Sequence, residues 1–513
     1  MVSLEKILMM NPWWSKGKDF KLYDKDLSIF NSPGTVIKFE RLEHLYKRLD
    51  PGKVFIIKGP RRIGKTLMLK LLVEKLLEEG VDRANIFYFS FDSLVTKKEL
   101  DNMLRDFLIR PAGGQRYIML DEVQNVGGWE EVVKALFDAG MLASSTVIAT
   151  GSIAHMLKAD MLPGRGVEGN TMLLRHLDFR DFALGLLRDI ETDYGANRIN
   201  KLLDYNFTND EMKNLYEFIK ATAIGIDGGL DSIYENAQKL KPYSIPIFKL
   251  FEVYLNTGGY PISINDYIKR SLFPENRGRG ISDELYEEIF DYARQDAAII
   301  GGKAAGDPNK ASIIIESTVG NVGNSVSYSA TARRVGMNTA TVISYFNRLE
   351  NSFVFSPIYG LGRNSSEMKK GKIYFSDIFL HYACGAASKG ASGTGYTRDL
   401  LESSSLGIVV EEAVLDHLIK TKEQDPMRHY KTFIRFYNND KSELDFLYKL
   451  ENGSYMAIEV KYRNAVQFSR IKRISWISDY LILSKDSMEK AEGFIEIPVA
   501  FLLLLLQKSD SNL

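Results

Sequence analysis

The sequence predicts an α/β protein with a parallel sheet in its first third, a helical middle and a second α/β domain at its C-terminal end. Three observations predict it. The apolar run VFIIK, starting at Val54, leads straight into GPRRIGKT, Gly59 to Thr66, and then into a stretch of helical periodicity. Further apolar runs alternate with helical stretches up to Ser152, the order of a parallel sheet. Near the end, IRFYNN, SELDFLYKL and SYMAIEVKYR read as consecutive strands behind a helical stretch.

In the first domain IFYFSFD (Ile86 to Asp92), RYIMLDE and STVIATGS (Ser145 to Ser152) are the second to fourth strands. Thr66 to Glu78 is helical, with Leu67, Leu69, Leu71, Leu72 and Leu76 apolar. The boundaries expected are an N-terminal arm over 1–40, carrying Trp13 and Trp14, and the first α/β domain over 41–185. A helical domain follows over 186–305, a winged helix-turn-helix over 306–360 and the last α/β domain over 361–513. IGGKAAGDPNK (Ile300 to Lys310) reads as a Gly-rich break, and GAASKGASGTG (Gly385 to Gly395) as a flexible loop.

With 513 residues the chain is too long for one ordinary domain. Basic and acidic residues balance at 66 each, which gives no support for a broadly basic nucleic-acid coat but leaves room for a local patch. The single cysteine, Cys384, excludes an intrachain disulfide and a Cys-based zinc site and fits a reducing compartment. The first residues hold no apolar run long enough for a signal peptide. The longest apolar run, VAFLLLLL (Val499 to Leu506), falls well short of the ~20 residues of a membrane span and reads as a buried strand or helix. The expectation is a cytoplasmic protein with no membrane partner.

GPRRIGKT is a phosphate loop, G-x-x-x-x-G-K-T. Gly59 and Gly64 let backbone N–H groups curl around phosphate oxygens without a Cβ clash. The loop opens a helix, whose first amides favour an anion. Gly59, Pro60, Arg61, Arg62, Ile63, Gly64, Lys65, Thr66 and Leu67 are the expected binding residues, with Lys65 on the β/γ-phosphates and Thr66 on Mg²⁺. Asp121, at the strand end, is expected to hold Mg²⁺ through water, and Glu122 to polarise the attacking water. Thr150, in the TGS that ends the fourth strand, is placed to sense the nucleotide. Arg165, in LPGRG, is a candidate arginine finger for a neighbour's γ-phosphate; the plainer reading is a solvated loop arginine.

GPRRIGKT, IMLDEVQ, ATGSIAHML, LPGRG, LDFRDF and NTGGYP, in this order, resemble the archaeal and bacterial AAA-type ATPases that carry a C-terminal nuclease-like domain. The resemblance runs from about Val54 to the C-terminus. It implies an AAA+-like ATPase domain and ATP as the nucleotide, since spacing alone does not separate ATP from GTP. AAA+ relatives often form rings that share arginine fingers, so a homo-oligomer is a further expectation.

SYSATARRVGMNTATVISYFNRLE, Ser327 to Glu350, has the pattern of a helix-turn-helix, with Gly336 in the turn and Asn338 or Thr339 as cap. Val342, Tyr345, Phe346 and Leu349 form its inward face, leaving Thr341, Ser344 and Arg348 opposite, with Arg333 and Arg334 close by. FVFSPIY is the expected wing. Docking on DNA through Arg348 and its neighbours is one reading; packing between domains is the other. The resemblance also places a winged helix here.

In the last domain Glu411 lies on the helix GIVVEEAVLDHL, Asp445 on the second strand, and Glu459 and Lys461 two apart on the third, hence on one sheet face. Phosphodiester cleavage needs carboxylates to hold metal ions and a base to help water attack. Glu411, Asp445 and Glu459 are the candidate ligands and Lys461 the group that orients water or steadies developing charge. The set resembles the PD-(D/E)XK nuclease superfamily, with Leu444-Asp445 in place of the usual Pro-Asp. Solvated strand charges are the plainer alternative. The six histidines show no metal-ligand spacing.

Two functions fit these features. One is a Mg²⁺-dependent ATPase that binds branched or duplex DNA and cleaves it at the C-terminal site. The other is an ATP-driven switch that regulates a protein partner and carries an inert nuclease-like domain.

Overall fold

The computed structural model describes the chain apart from residues 1–2, 33–40, 93–94, 112, 153–169, 273–279, 301–302, 305, 362–369, 423–429, 440–441, 463–470, 472 and 508–513. It divides into two compact units. The first comprises Met1–Arg175, Ala293–Pro308 and Asn351–Phe353; the second comprises His176–Tyr292, Asn309–Glu350 and Val354–Leu513.

The first unit is built on five parallel strands: β1 (Lys53–Lys58), β2 (Ile86–Ser90), β3 (Arg116–Asp121), β4 (Ser145–Gly151) and β5 (Thr171–Leu173), in the order β2-β3-β4-β1-β5. Alternate side chains of one strand point to opposite faces, and here both faces are apolar. Val54, Ile56, Ile118, Leu120 and Val147 pack with the helices Lys97–Leu108 and Trp129–Asp138. Phe55, Ile57, Tyr117, Met119 and Ile148 pack with the helix Lys65–Glu78. Strand β4 separates β1 from β3, so the loop after β1 and the acidic end of β3 flank one strand end.

The edge strand β2 would leave backbone groups unpaired. The N-terminal arm takes them up. The Asn11 side chain donates to Tyr88 O (2.9 Å) and accepts from Tyr88 N (2.7 Å), and the indoles of Trp13 and Trp14 both donate to Ile86 O (3.0 and 2.8 Å). At the Gly-rich break β6 (Ile299–Ile300) pairs antiparallel with β7 (Lys303–Ala304).

The second unit joins a helical array to a nine-stranded mixed sheet. Its strands are β8 (Ser325–Ser327), β9 (Phe355–Gly360), β10 (Lys370–Phe375), β11 (Ile434–Asn439), β12 (Ser442–Lys449), β13 (Tyr455–Val460), β14 (Asp479–Ser484), β15 (Glu489–Ala491) and β16 (Phe494–Pro498). The order is β15-β16-β14-β13-β12-β11-β9-β10-β8. The expected wing is β9, and it pairs with β10 on one side and, in parallel, with β11 on the other. The helix-turn-helix segment is therefore continuous with the C-terminal sheet rather than separated from it at residue 360.

The segment expected to be a flexible loop, Gly385 to Gly395, instead spans the end of helix Ile378–Lys389 and the start of helix Gly393–Glu402. Its small residues are there for close approach: a Cβ on Gly385 would meet the Tyr396 ring at 2.2 Å, and one on Gly393 the Tyr286 ring at 2.1 Å. The apolar run at the end is a buried helix, Val499–Leu505. Among the described residues no helix is long and apolar enough to cross a membrane.

The Gly258-Gly259-Tyr260-Pro261 turn is held by Asp377, which caps the helix Ile378–Lys389. One Asp377 oxygen accepts from Phe379 N and the other from Gly259 N, both at 2.8 Å. A Cβ on Gly258 would stand 2.5 Å from Asp377 Oδ1, and one on Gly259 2.2 Å from Leu177 O. His417 likewise has a structural part. Its Nε2 accepts from Phe179 N (2.7 Å) and its Nδ1 faces Ala413 O, an arrangement of the neutral ring that burial favours by lowering its pKa.

Candidate functional site

The phosphate loop starts where β1 ends. Leu174 N donates to Lys58 O (2.7 Å), which brings its carbonyl so near that a Cβ on Gly59 would meet it at 2.3 Å. Arg62 (φ 63°) and Gly64 (φ 100°) take left-handed conformations, curling the loop into the helix that starts at Lys65. Ile63 is buried in the core on that face of the sheet and Leu67 packs against it. The Lys65 ammonium is buried; it donates to Gly59 O (3.1 Å) and Pro60 O (3.0 Å) and stands 3.4 Å from Glu122 Oε1. Arg61 Nε lies 2.8 Å from Asp296 Oδ1.

Asp121 ends β3 and is buried. Three hydroxyls converge on it: Thr66 (2.7 Å) and Tyr88 (2.9 Å) on Oδ2, and Thr150 on Oδ1. Burial and the neighbouring Glu122 push the Asp121 carboxyl up, and those hydroxyl bonds resist. Glu122 itself sits at φ 56°, an unusual conformation for a side-chain-bearing residue, and its N–H donates to Thr150 Oγ1 (3.2 Å). Burial works to raise its carboxyl, but Lys65, Gln124 and Arg61 outweigh burial and hold it below the ordinary range. Arg165 lies outside the described residues.

Sequence reasoning missed Asp296, Gln124 and Tyr88. Gln124 Nε2 donates to Glu122 and to Ser152 Oγ (3.2 Å). Asp296 ends the helix Asp283–Asp296, far along the chain, and no local pattern marks it. Tyr88 was readable only as core, because its strand is apolar on both faces.

The second cluster gathers at β10, β12, β13 and the helix Leu406–Thr421. Lys461 Nζ lies 2.6 Å from Glu459 and 3.6 Å from Asp445, whose Oδ2 also accepts from Val460 N (2.9 Å). Glu411 accepts from Tyr374 OH and lies 3.9 Å from Lys372 Nζ, which is 2.8 Å from Glu443. Burial first and then Asp445 push Glu411 and Glu459 each up to about 7. The four predicted residues thus share one neighbourhood. Among the described residues no group of three or more His, Cys, Asp or Glu side chains is arranged to hold a metal ion. Lys461 and Lys372 supply positive charge beside the carboxylates, and Val460 N and Tyr374 OH donate to carboxylate oxygens. Lys372 and Tyr374 belong to a distant strand, so the motif gave no sign of them.

The segment read as a helix-turn-helix holds two helices, Tyr328–Val335 and Thr339–Asn351, with Gly336 left-handed at the first C-cap (φ 68°) and Asn338 Oδ1 accepting from Thr341 N (2.7 Å). Arg348 is not on the open face as expected: it is partly buried, with its guanidinium 4.7 Å from the Tyr345 ring centre. The exposed residues of the second helix are Thr339, Ala340, Ile343 and Asn347, none charged. Arg333 and Arg334 on the first helix are exposed.

Residues 51–183 match a family described as an AAA domain. Residues 248–390 and 406–496 match two families each described as a domain of unknown function, DUF8612 and DUF4143. An uncharacterized protein of Haemophilus influenzae is 30% identical over 148 residues, 28% of this chain, and one of Methanocaldococcus jannaschii is 26% identical over 178 residues, 34% of this chain. The matched stretch spans 36% of the length of each of these curated relatives. Among solved structures, the Aeropyrum pernix Orc1 protein in complex with DNA aligns at 14% identity and a TM-score of 0.37, covering 74% of this chain and 98% of that one. Cdc6p from Pyrobaculum aerophilum aligns at 14% identity and a TM-score of 0.27, covering 75% and 98%. The phosphate loop, the parallel sheet and the family match together make the first unit an AAA-type P-loop ATPase fold.

Proposed function

We propose that this chain is a Mg²⁺-dependent ATPase whose nucleotide state governs an action on DNA. The observation that carries the ATPase reading is the meeting of Lys65, Thr66, Asp121 and Glu122 at the ends of β1 and β3. Lys65 offers an ammonium to the β/γ-phosphates, and the loop's N–H groups suit an anion. Thr66 and Asp121 are hard oxygen donors of the kind Mg²⁺ takes, and they would hold it. Bound Mg²⁺ would offset phosphate charge. Glu122, kept ionised by Lys65, is suited to orient and polarise the attacking water. Lys65→Ala is expected to abolish phosphate release from ATP while circular dichroism still reports a folded chain. A variant that turns over ATP like the parent would overturn the reading.

A second reading draws support from the C-terminal cluster, where lysines already neutralise the carboxylates. It makes the nuclease-like site inert and the protein a nucleotide switch acting on a protein partner. Binding of labelled duplex and branched DNA over a salt series separates the two. Low-micromolar binding that weakens steeply with salt supports the DNA reading. Absent or salt-insensitive binding supports the switch. Should Mg²⁺- or Mn²⁺-dependent cleavage be seen, Asp445→Ala and Lys461→Ala are expected to remove it; equal cleavage by both would assign it to a contaminant.

A further inference from the structure

The phosphate site contains an acid that neither the loop motif nor ATP hydrolysis asks for. Asp296 is 5% exposed and belongs to the first unit through the segment Ala293–Pro308. Its Oδ1 stands 2.8 Å from Arg61 Nε, inside the loop GPRRIGKT. The Ser152 side chain, at the end of β4, bonds the same carboxylate, and the charges of Glu122 and Lys65 both act on it. Ser152 Oγ in turn accepts from Gln124, which donates to Glu122. Asp296 therefore lies on the Lys65–Glu122 side of the loop, where the terminal phosphates would come.

Two of the loop's three cations are thus each matched by an internal anion, Lys65 by Glu122 at 3.4 Å and Arg61 by Asp296. Glu122 has a use in hydrolysis. Asp296 has none there, and a fixed carboxylate beside incoming phosphate is a like-charge contact, which is costly in a buried site. Burying a carboxylate is itself unfavourable unless a cation compensates it. Arg61 supplies that compensation, with its Nε 2.8 Å from the carboxylate.

We propose that Asp296 is an internal stand-in for nucleotide phosphate: it holds Arg61 while the site is free and must give up that contact when a triphosphate binds. It is a positioning residue that sets nucleotide affinity. This inference rests on the P-loop reading above and adds a regulator to it. Because the γ-phosphate brings the added charge to the Lys65–Glu122 side, the effect is larger for ATP than for ADP.

The test is titration of the full chain with a fluorescent ATP analogue and a fluorescent ADP analogue, with Mg²⁺ present. Asp296→Asn keeps the side chain's shape and removes its charge. It is expected to tighten ATP binding on the order of tenfold, to tighten ADP binding less, and to lower KM without raising kcat. Unchanged or weaker ATP binding by a variant with parental Tm overturns the proposal. Should that variant fold poorly, hydrogen exchange on the parent decides instead: amides around 293–298 are expected to exchange faster with a non-hydrolysable ATP analogue, and unchanged or slower exchange overturns it. Parent protein that binds no nucleotide would sink the P-loop reading itself, a result distinct from either outcome.

Discussion

Glu411 is a buried carboxylate and Glu122 a partly buried one, and their surroundings send them in opposite directions. Lys65 holds Glu122 ionised, so Glu122→Gln is expected to keep ATP binding and lose ~10²-fold or more in turnover. Phosphate-release kinetics beside a nucleotide titration check this, and a turnover within about twofold of the parent would remove Glu122 from its role. Glu411 is raised to about 7 by burial and Asp445, against an unfolded value near 4.5. A raised folded value means that its contribution to stability is fully present below about pH 4.5 and is lost as pH rises through about 7. The same sign holds for Glu459. Taken alone, either group is worth at most ~3 kcal/mol across that window. Glu411→Gln is therefore expected to flatten the fall in Tm between pH 5 and 8 and to match or exceed the parent at pH 8. Parallel Tm curves for variant and parent would show that Glu411 does not titrate there.

The elements that the sequence disclosed are those buried on two faces or marked by a fixed spacing. Strands β1 to β4 could be read because both their faces are apolar, and Gly59 to Thr66 because phosphate chemistry demands that spacing. Strand β5, three residues long, carried no periodic signal. The stretch Gly385 to Gly395 misled because composition does not tell a glycine that frees the backbone from one that admits a neighbour. Gly393 is of the second kind, with the Tyr286 ring where its Cβ would stand. Gly393→Val is expected to destabilise by ~1–3 kcal/mol or more through overpacking. Gly407, within helix Leu406–Thr421, has nothing within 4 Å of its Cβ position, so Gly407→Ala is expected to be neutral or to stabilise by up to ~1 kcal/mol. Thermal melts of the pair give the test; equal losses would mean that chain entropy rather than contact with Tyr286 sets the cost. The same limit hid Lys372, Tyr374 and Asp296. Each reaches its cluster only through the tertiary fold, from a segment with no motif of its own.

At the scale of the whole molecule the question is whether the nucleotide at Lys65 and the ligand of the C-terminal sheet affect one another. Affinity coupling is reciprocal: if ATP changes the affinity for DNA, DNA must change the affinity for ATP by the same factor. The two site variants already argued supply the states to compare. Glu122→Gln with ATP is expected to hold the triphosphate without turning it over, and Lys65→Ala to hold none. If nucleotide governs DNA, their DNA affinities are expected to differ by about fivefold or more, the lower range of measured couplings. The DNA must in turn shift the ATP affinity of Glu122→Gln by the same factor. Fluorescence anisotropy with labelled DNA and a matching nucleotide titration measure both sides. Equal DNA affinities for the two variants, with ATP bound to the first, would separate the ATPase from DNA and leave the protein-partner switch as the reading to pursue. The lysine-neutralised carboxylates of the C-terminal sheet would then be structural, and Lys461→Ala is expected to destabilise the fold, since it leaves the buried Glu459 and the partly buried Asp445 without their cation.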